Sequence, residues 1–178
     1  PLCKFAMGTD VSTAMLNHAM AYCQGIRNTL LAPMLSESTL TLFNGTMNKI
    51  YSFLVLQHID RANAFRIINE FNRVLVPYGK VLIQYPNLEK NAESYVANMV
   101  RRNLFQSLTP ILNFYTKGEL ELIFNVNGFK ILSIYEEGAD FYVLAEKIED
   151  VPFLTGAGTN TFWYDHDKDL PECLRRMK

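Results

Sequence analysis

No long hydrophobic run interrupts the 178 residues. The most apolar stretch, Ile50 to Leu56, has a strand's length, far short of the ~18–20 residues of a membrane-spanning helix. No membrane partner is expected from that pattern. No charge sign dominates either: 17 Lys and Arg stand against 18 Asp and Glu. A sequence-blind nucleic-acid binder carries a basic excess, so no nucleic-acid partner is expected. Cysteine is scarce and odd in number. Cys3, Cys23 and Cys173 lie far apart and form no Cys-x-x-Cys pair. That excludes a disulfide framework and suits a reducing, cytoplasmic compartment. His18, His58 and His166 do not cluster with Cys or acids at metal-ligand spacing, so no metal is expected. The Gly-x-Ser-x-Gly elbow and the Walker phosphate loop are absent. No apolar signal segment follows Lys4.

What is present is enough for a core. Apolar residues make up 49% and aromatics 12%, a composition that buries rather than solvates. The length suits one domain. Phe5 to Thr9 reads as a short strand. Ser12 then N-caps a helix with Met15, Leu16, Ala19, Met20 and Cys23 at helical spacing. Thr29 to Leu31 is a second strand, and Lys49 to Leu56 a third, continuous enough to be buried on both faces. Asp60 caps a helix with the apolar set Ala64, Ile67, Ile68, Phe71 and Leu75, broken by Pro77-Tyr78-Gly79. Val81 to Tyr85 is a strand, and Asn87 to Asn103 a helix with Tyr95, Met99 and Val100 on one side. Ser107 to Tyr115 is an irregular linker. Thr116 and Glu119 form a capping box ahead of Leu120, Ile123, Phe124 and Val126, with Gly128 as the stop. Phe129 to Tyr135 and Phe141 to Ala145 pair as a hairpin.

Strands alternating with helices imply an α/β fold: a doubly wound, mostly parallel sheet whose last strand is antiparallel. Residues 1–147 form the domain, and 148–178 a tail draped on the surface, with Phe153, Phe162 and Trp163 as anchors. The acids around His166 read as a solvated charge run. The chain opens on Pro1-Leu2-Cys3-Lys4-Phe5, which reads like the inside of an element, so a piece of a longer protein is expected.

In an open α/β sheet, ligands bind at the carboxyl ends of strands. Asp10, Gln57 with His58, and Tyr85 stand at such ends. An acid there either accepts hydrogen bonds from a ribose diol or caps the following helix. His58 is either a structural histidine or a general base. Met15 is either a core residue of its helix or a ligand contact.

These residues carry a resemblance. Gly8-Thr9-Asp10-Val11-Ser12 with Met15-Leu16 resembles the second motif of class I S-adenosylmethionine-dependent methyltransferases. Tyr51 to Ile59 resembles their fourth strand, and Phe71 to Gly79 the helix and turn before the fifth. Gly128-Phe129 and Phe141 to Lys147 resemble the end of that fold. The match keeps its order from Phe5 to Lys147.

The resemblance implies S-adenosylmethionine as cofactor. Asp10 would hold the ribose hydroxyls, Val11 and Met15 would pack near the adenine, and Leu31 and Ala32 would lie at its edge. Ser52, Leu56 and Gln57 would line the pocket under the methionine end. His58 would be the first candidate base and Tyr85 the second. The acceptor would be a small molecule, met by Asn87 to Tyr115. Apart from the resemblance, Tyr95, Met99 and Phe105 read either as a substrate lid or as a packing face. Three departures stand out. The family's first strand and glycine-rich loop have no counterpart before Gly8. Asn48 stands where an Asp often opens the fourth strand. Pro77-Tyr78-Gly79 replaces Pro-Gly-Gly, which is tolerable if φ is positive only at Gly79. The sheet is therefore expected to be incomplete at its N-terminal side, with exposed strand edges. An alternative follows: a catalytically inactive interaction or scaffolding module, with a homodimer covering those edges.

Overall fold

The structure, a computed structural model, describes residues 3–104 and 112–148. The expectations placed on Phe105, on the 148–178 tail beyond Ile148, and on His166 lie outside the described residues.

The chain begins with strand β1 (Ala6–Asp10), helix α1 (Thr13–Tyr22) and strand β2 (Thr29–Pro33). β1 and β2 pair in parallel, with Gly8 opposite Leu31. Ser12 caps α1 by accepting from the Met15 amide at 3.3 Å. Of the apolar face expected on α1, only Leu16 is buried, and Met15 and Met20 are exposed.

The remainder centres on four strands: β3 (Met47–Ser52), β4 (Leu75–Pro86), β5 (Phe129–Glu137) and β6 (Asp140–Lys147), in the order β3-β4-β6-β5. β3 runs parallel to β4, while β4–β6 and β5–β6 are antiparallel. The mostly parallel sheet of the sequence reading is corrected here to a mixed one. Among the described residues it is also divided: β1 and β2 form a sheet of their own. The third strand is likewise shorter than its apolar run. It ends at Ser52, and Tyr51 is 75% exposed. The reason is local. β3 pairs only with β4 among the described residues, and the chain leaves the ladder at Leu54, whose φ is 58° and whose amide donates to Gln84 Oε1 at 2.7 Å.

Helix α2 (Arg61–Val74) forms as its pattern dictates. Asp60 Oδ1 accepts from the Ala62 and Asn63 amides at 3.0 and 3.1 Å, satisfying two otherwise orphaned donors. Ala64, Ile67, Ile68 and Phe71 are all buried, and the last three, with Leu75 just past the helix end, share one core with Val81, Ile83, Phe124, Phe129 and Val143. Each of these larger side chains contributes roughly 1.5–3 kcal/mol of burial. Pro77-Tyr78-Gly79 does not interrupt the chain as a turn. α2 ends at Val74 and β4 starts at once. The positive φ falls at Tyr78 (64°) and not at Gly79.

Helix α3 (Ala92–Leu104) starts later than expected, because Asn87 to Asn91 form a turn in which Asn87 Oδ1 accepts from the Glu89 amide. Helix α4 (Lys117–Val126) carries the Thr116 cap, bonded to the Glu119 amide at 3.3 Å. Leu120 and Phe124 are buried, but Val126 is exposed. Gly128 stops the helix at φ 72°, and β5 and β6 form the expected hairpin. Among the described residues, no helix is long and apolar enough to cross a membrane.

Candidate functional site

Two groups of side chains stand at strand ends. The first gathers where β1 and β2 finish. Asp10 pairs with Pro33 across the ladder and is half-buried. Its Oδ1 accepts from the Ser12 amide at 2.7 Å. The carboxylate therefore does take a local turn-closing bond, while Ser12 itself caps α1. Val11 and Met15 lie just beyond, both more than half exposed. Leu31 and Ala32 are half-buried on β2. The group thus joins one hydrogen-bond-accepting carboxylate to exposed apolar side chains at the carboxyl end of a parallel strand.

The second group lies past β3. Ser52 is half-buried, and the chain makes a single 3-10 turn over Leu56–His58. Leu56 is 1% exposed and belongs to the core, behind this turn. Gln57 is buried, its Nε2 lies 3.3 Å from His58 Nε2, and its Oε1 has no hydrogen-bond partner. His58 is exposed. No strand pairing joins β1 to β3 among the described residues, so the two groups are positioned separately.

Tyr85 stands elsewhere. It is 1% exposed, with its ring edge-on to Tyr115 (4.8 Å) and Phe124 (6.3 Å). Burial first, and then the neighbouring Tyr115, push its phenol well above the ordinary tyrosine range. A base must reach its proton, and this side chain is walled into the core. Its expected second-base role does not suit that placement.

A cavity of about 250 Å³ opens beside the turn. Its lining joins the start of α2 (Asp60, Arg61), the middle of α3 (Tyr95, Asn98, Met99) and the segment before α4 (Leu112 to Phe114). That segment is tied to the turn: the Asn113 amide donates to the Gln57 carbonyl at 2.8 Å, and Asn113 Nδ2 donates to the Ile59 carbonyl at 2.5 Å. Arg61 crosses beneath. It pairs with Glu119, donates to the Phe114 carbonyl at 2.6 Å and stands 4.8 Å from the centre of the Tyr115 ring. Burial raises the Tyr115 phenol to about 12, with Arg61 acting in the opposite sense. Tyr95 and Met99, expected in a lid or a packing face, line this cavity. Asn98, Asn113 and Phe114 fall in the Asn87 to Tyr115 segment expected to meet the acceptor but were not singled out, and Arg61 was not expected, because its contacts span more than fifty residues. Among the described residues, no three His, Cys, Asp or Glu side chains cluster as metal ligands.

No family model and no curated protein matches this sequence. Solved structures do match its fold. An S-adenosylmethionine-dependent methyltransferase from Methanosarcina mazei superposes with a TM-score of 0.68 at 13% identity, over 82% of this chain and 83% of that one. One from Mesorhizobium loti gives 0.65 at 15% identity, over 82% and 81%. A Haloferax volcanii methyltransferase, solved in complex with the Trm112 methyltransferase activator, gives 0.63 at 11%, over 82% and 73%. At these identities the likeness is one of fold.

Proposed function

We propose that this chain, which has the class I S-adenosylmethionine-dependent methyltransferase fold, serves methyl transfer to a small organic acceptor. The observation that carries the reading is Asp10: a carboxylate at the C-terminal end of a parallel strand, with exposed Val11 and Met15 beside it. These residues fit the nucleoside half of S-adenosylmethionine. Asp10 would accept from the ribose hydroxyls, Val11 and Met15 would cover one face of the adenine, and Leu31 and Ala32 would meet its edge. Ser52 and Gln57 would border the methionine end, with Leu56 packed behind them. The cofactor, when bound, supplies a methyl group already activated by a sulfonium. The protein's share is then chiefly positioning. His58, exposed beside Gln57, is the side chain that would take a proton from an acceptor hydroxyl or amine. The compartment proposed for the chain is the reducing cytoplasm, on the small, odd number and wide spacing of its cysteines.

The test is calorimetric titration of S-adenosylhomocysteine into the chain, repeated with Asp10→Ala. Micromolar affinity lost in the variant supports the reading. Absence of binding to a cooperatively folding chain overturns it for this chain.

One observation favours a second reading, an interaction module. Among the described residues β1 and β3 each pair on one side only, and Tyr51, Phe53 and Leu54 are exposed near the free edge of β3. Unpaired edges with exposed apolar side chains are templates for another chain. A stable dimer at micromolar concentration, together with no response to S-adenosylhomocysteine, would put this reading first.

A further inference from the structure

We propose that the cavity between α2, α3 and the 112–114 segment is the acceptor subsite, and that it selects an uncharged, flat, mainly apolar molecule. The proposal rests on the methyl-transfer reading and names its substrate class. At about 250 Å³ the cavity would hold roughly eight waters at liquid density, room for a single or fused ring and little more.

Charge is present in its lining but already engaged. Asp60 Oδ1 accepts two main-chain amides, and Oδ2 accepts from Asn63 Nδ2 at 2.5 Å. Arg61 Nη1 goes to Glu119 and Nη2 to the Phe114 carbonyl. A carboxylate or ammonium entering here would give up its hydration for groups that have partners, and that exchange is unfavourable. The rest of the wall is apolar or amide. Tyr95 and Phe114 stand edge to face, with centroids 5.9 Å apart at 87°, an arrangement that receives a third ring well. Met99 is a deformable thioether that adapts to a flat ligand. Asn98 contributes an uncharged amide, and Asn113 an Oδ1 whose partner Nδ2 is fixed on the Ile59 carbonyl. One or two hydrogen bonds to a hydroxyl or ring nitrogen are what these can offer. The tie from Asn113 to Gln57 sets this wall against the turn that carries His58.

The experiment uses the full chain with isotope-labelled aromatic rings and follows four probes by NMR at neutral pH: phenol, indole, benzoate and benzylamine. Phenol and indole are expected to shift the Tyr95 and Phe114 resonances and to bind at least tenfold more tightly than the two ions. Met99→Trp, at a half-exposed position of α3, is expected to fill the cavity and abolish those shifts without loss of thermal stability. Benzoate or benzylamine binding as tightly as the neutral probes overturns the proposal, as does neutral-probe binding unchanged in Met99→Trp. The same samples are titrated with S-adenosylhomocysteine. A response there without a neutral-probe preference sinks the subsite and leaves methyl transfer standing. A neutral-probe preference without that response removes methyl transfer, and with it the acceptor role.

Discussion

The Lys147 ammonium, 4% exposed at the end of β6, donates to the Leu75 carbonyl at 3.0 Å and to the Asn72 carbonyl at 2.8 Å. A cation at a helix C-terminus opposes the negative end of the dipole and satisfies carbonyls that have no intrahelical partner. The bond therefore fastens β6 to the last turn of α2, in the middle of the core. Lys147→Met keeps the stem's volume and removes the charge. It is expected to lower the unfolding free energy by about 2–3 kcal/mol, since hydrogen bonds to charged groups are the strong ones and the carbonyls stay buried. Urea denaturation of the two proteins, at unchanged slope, checks it.

Tyr78 and Gly79 divide a task that the sequence assigns to the glycine alone. Tyr78 sits at φ 64° and is 73% exposed, so it adopts a left-handed backbone with little packing to compensate. Gly79 is needed for space: a Cβ there would stand 2.9 Å from the Val76 carbonyl oxygen and 2.9 Å from Leu75 Cδ2. Tyr78→Gly is expected to raise stability by about 1 kcal/mol, and Gly79→Ala to lower it by at least as much. Opposite shifts in melting temperature are the signature. Equal signs would show that the two positions act alike.

Glu70 gives the fold a pH dependence of its own. Its side chain is fully buried, with Oε1 taking the Arg73 Nε–H and Oε2 unpartnered. Desolvation raises its pKa above the ordinary 4.5, and Arg73 offsets this only in part. A folded-state value above the unfolded one means that the native chain holds the proton longer. This group's contribution is then complete below the unfolded pKa and is lost as pH rises through the raised one. Glu70→Gln removes the titration. The stability difference between variant and parent is expected to grow in the variant's favour from about pH 4.5 upward and then level off. A flat difference across that range would mean that Arg73 compensates the charge fully.

The α2 stretch shows why part of the fold was readable. A capping acid and an apolar set at helical spacing are local signals, and Asp60, Ala64, Ile67, Ile68 and Phe71 do in the structure what their spacing implies. The β5–β6 hairpin and the Thr116 cap are local in the same way. β3 is the contrary case. An apolar run reports that a segment can be buried, not that a neighbour exists to bury it. Phe53 to Val55 are exposed although their composition is that of a core strand. The candidate site divides along the same line. Asp10 sits at the end of β1, which sequence order locates, whereas His58, expected at a strand end, lies in a 3-10 turn beyond β3, which stops at Ser52. Arg61, Asn98, Asn113 and Phe114 enter the cavity through folding across distant elements, and Tyr85, though at a strand end, faces the core.

Asp10 offers the sharpest separation of stability from binding. Its Oδ1 bond to the Ser12 amide needs an oxygen, not a charge. Asp10→Asn keeps that oxygen, so unfolding is expected to change by no more than about 0.5 kcal/mol, as for a surface substitution. A ribose diol, in contrast, donates to the carboxylate, and charge-assisted bonds of that kind contribute about 1.5–3 kcal/mol. S-adenosylhomocysteine affinity is therefore expected to fall by a factor of roughly 10–100 in Asp10→Asn, with the melting temperature of the free protein unmoved. Asp10→Ala should lose both the affinity and some of the turn's stability. If Asp10→Asn instead binds as the parent does while Asp10→Ala melts early, the carboxylate is a turn-closing group and nothing more, and the nucleoside must be held by other residues or not at all.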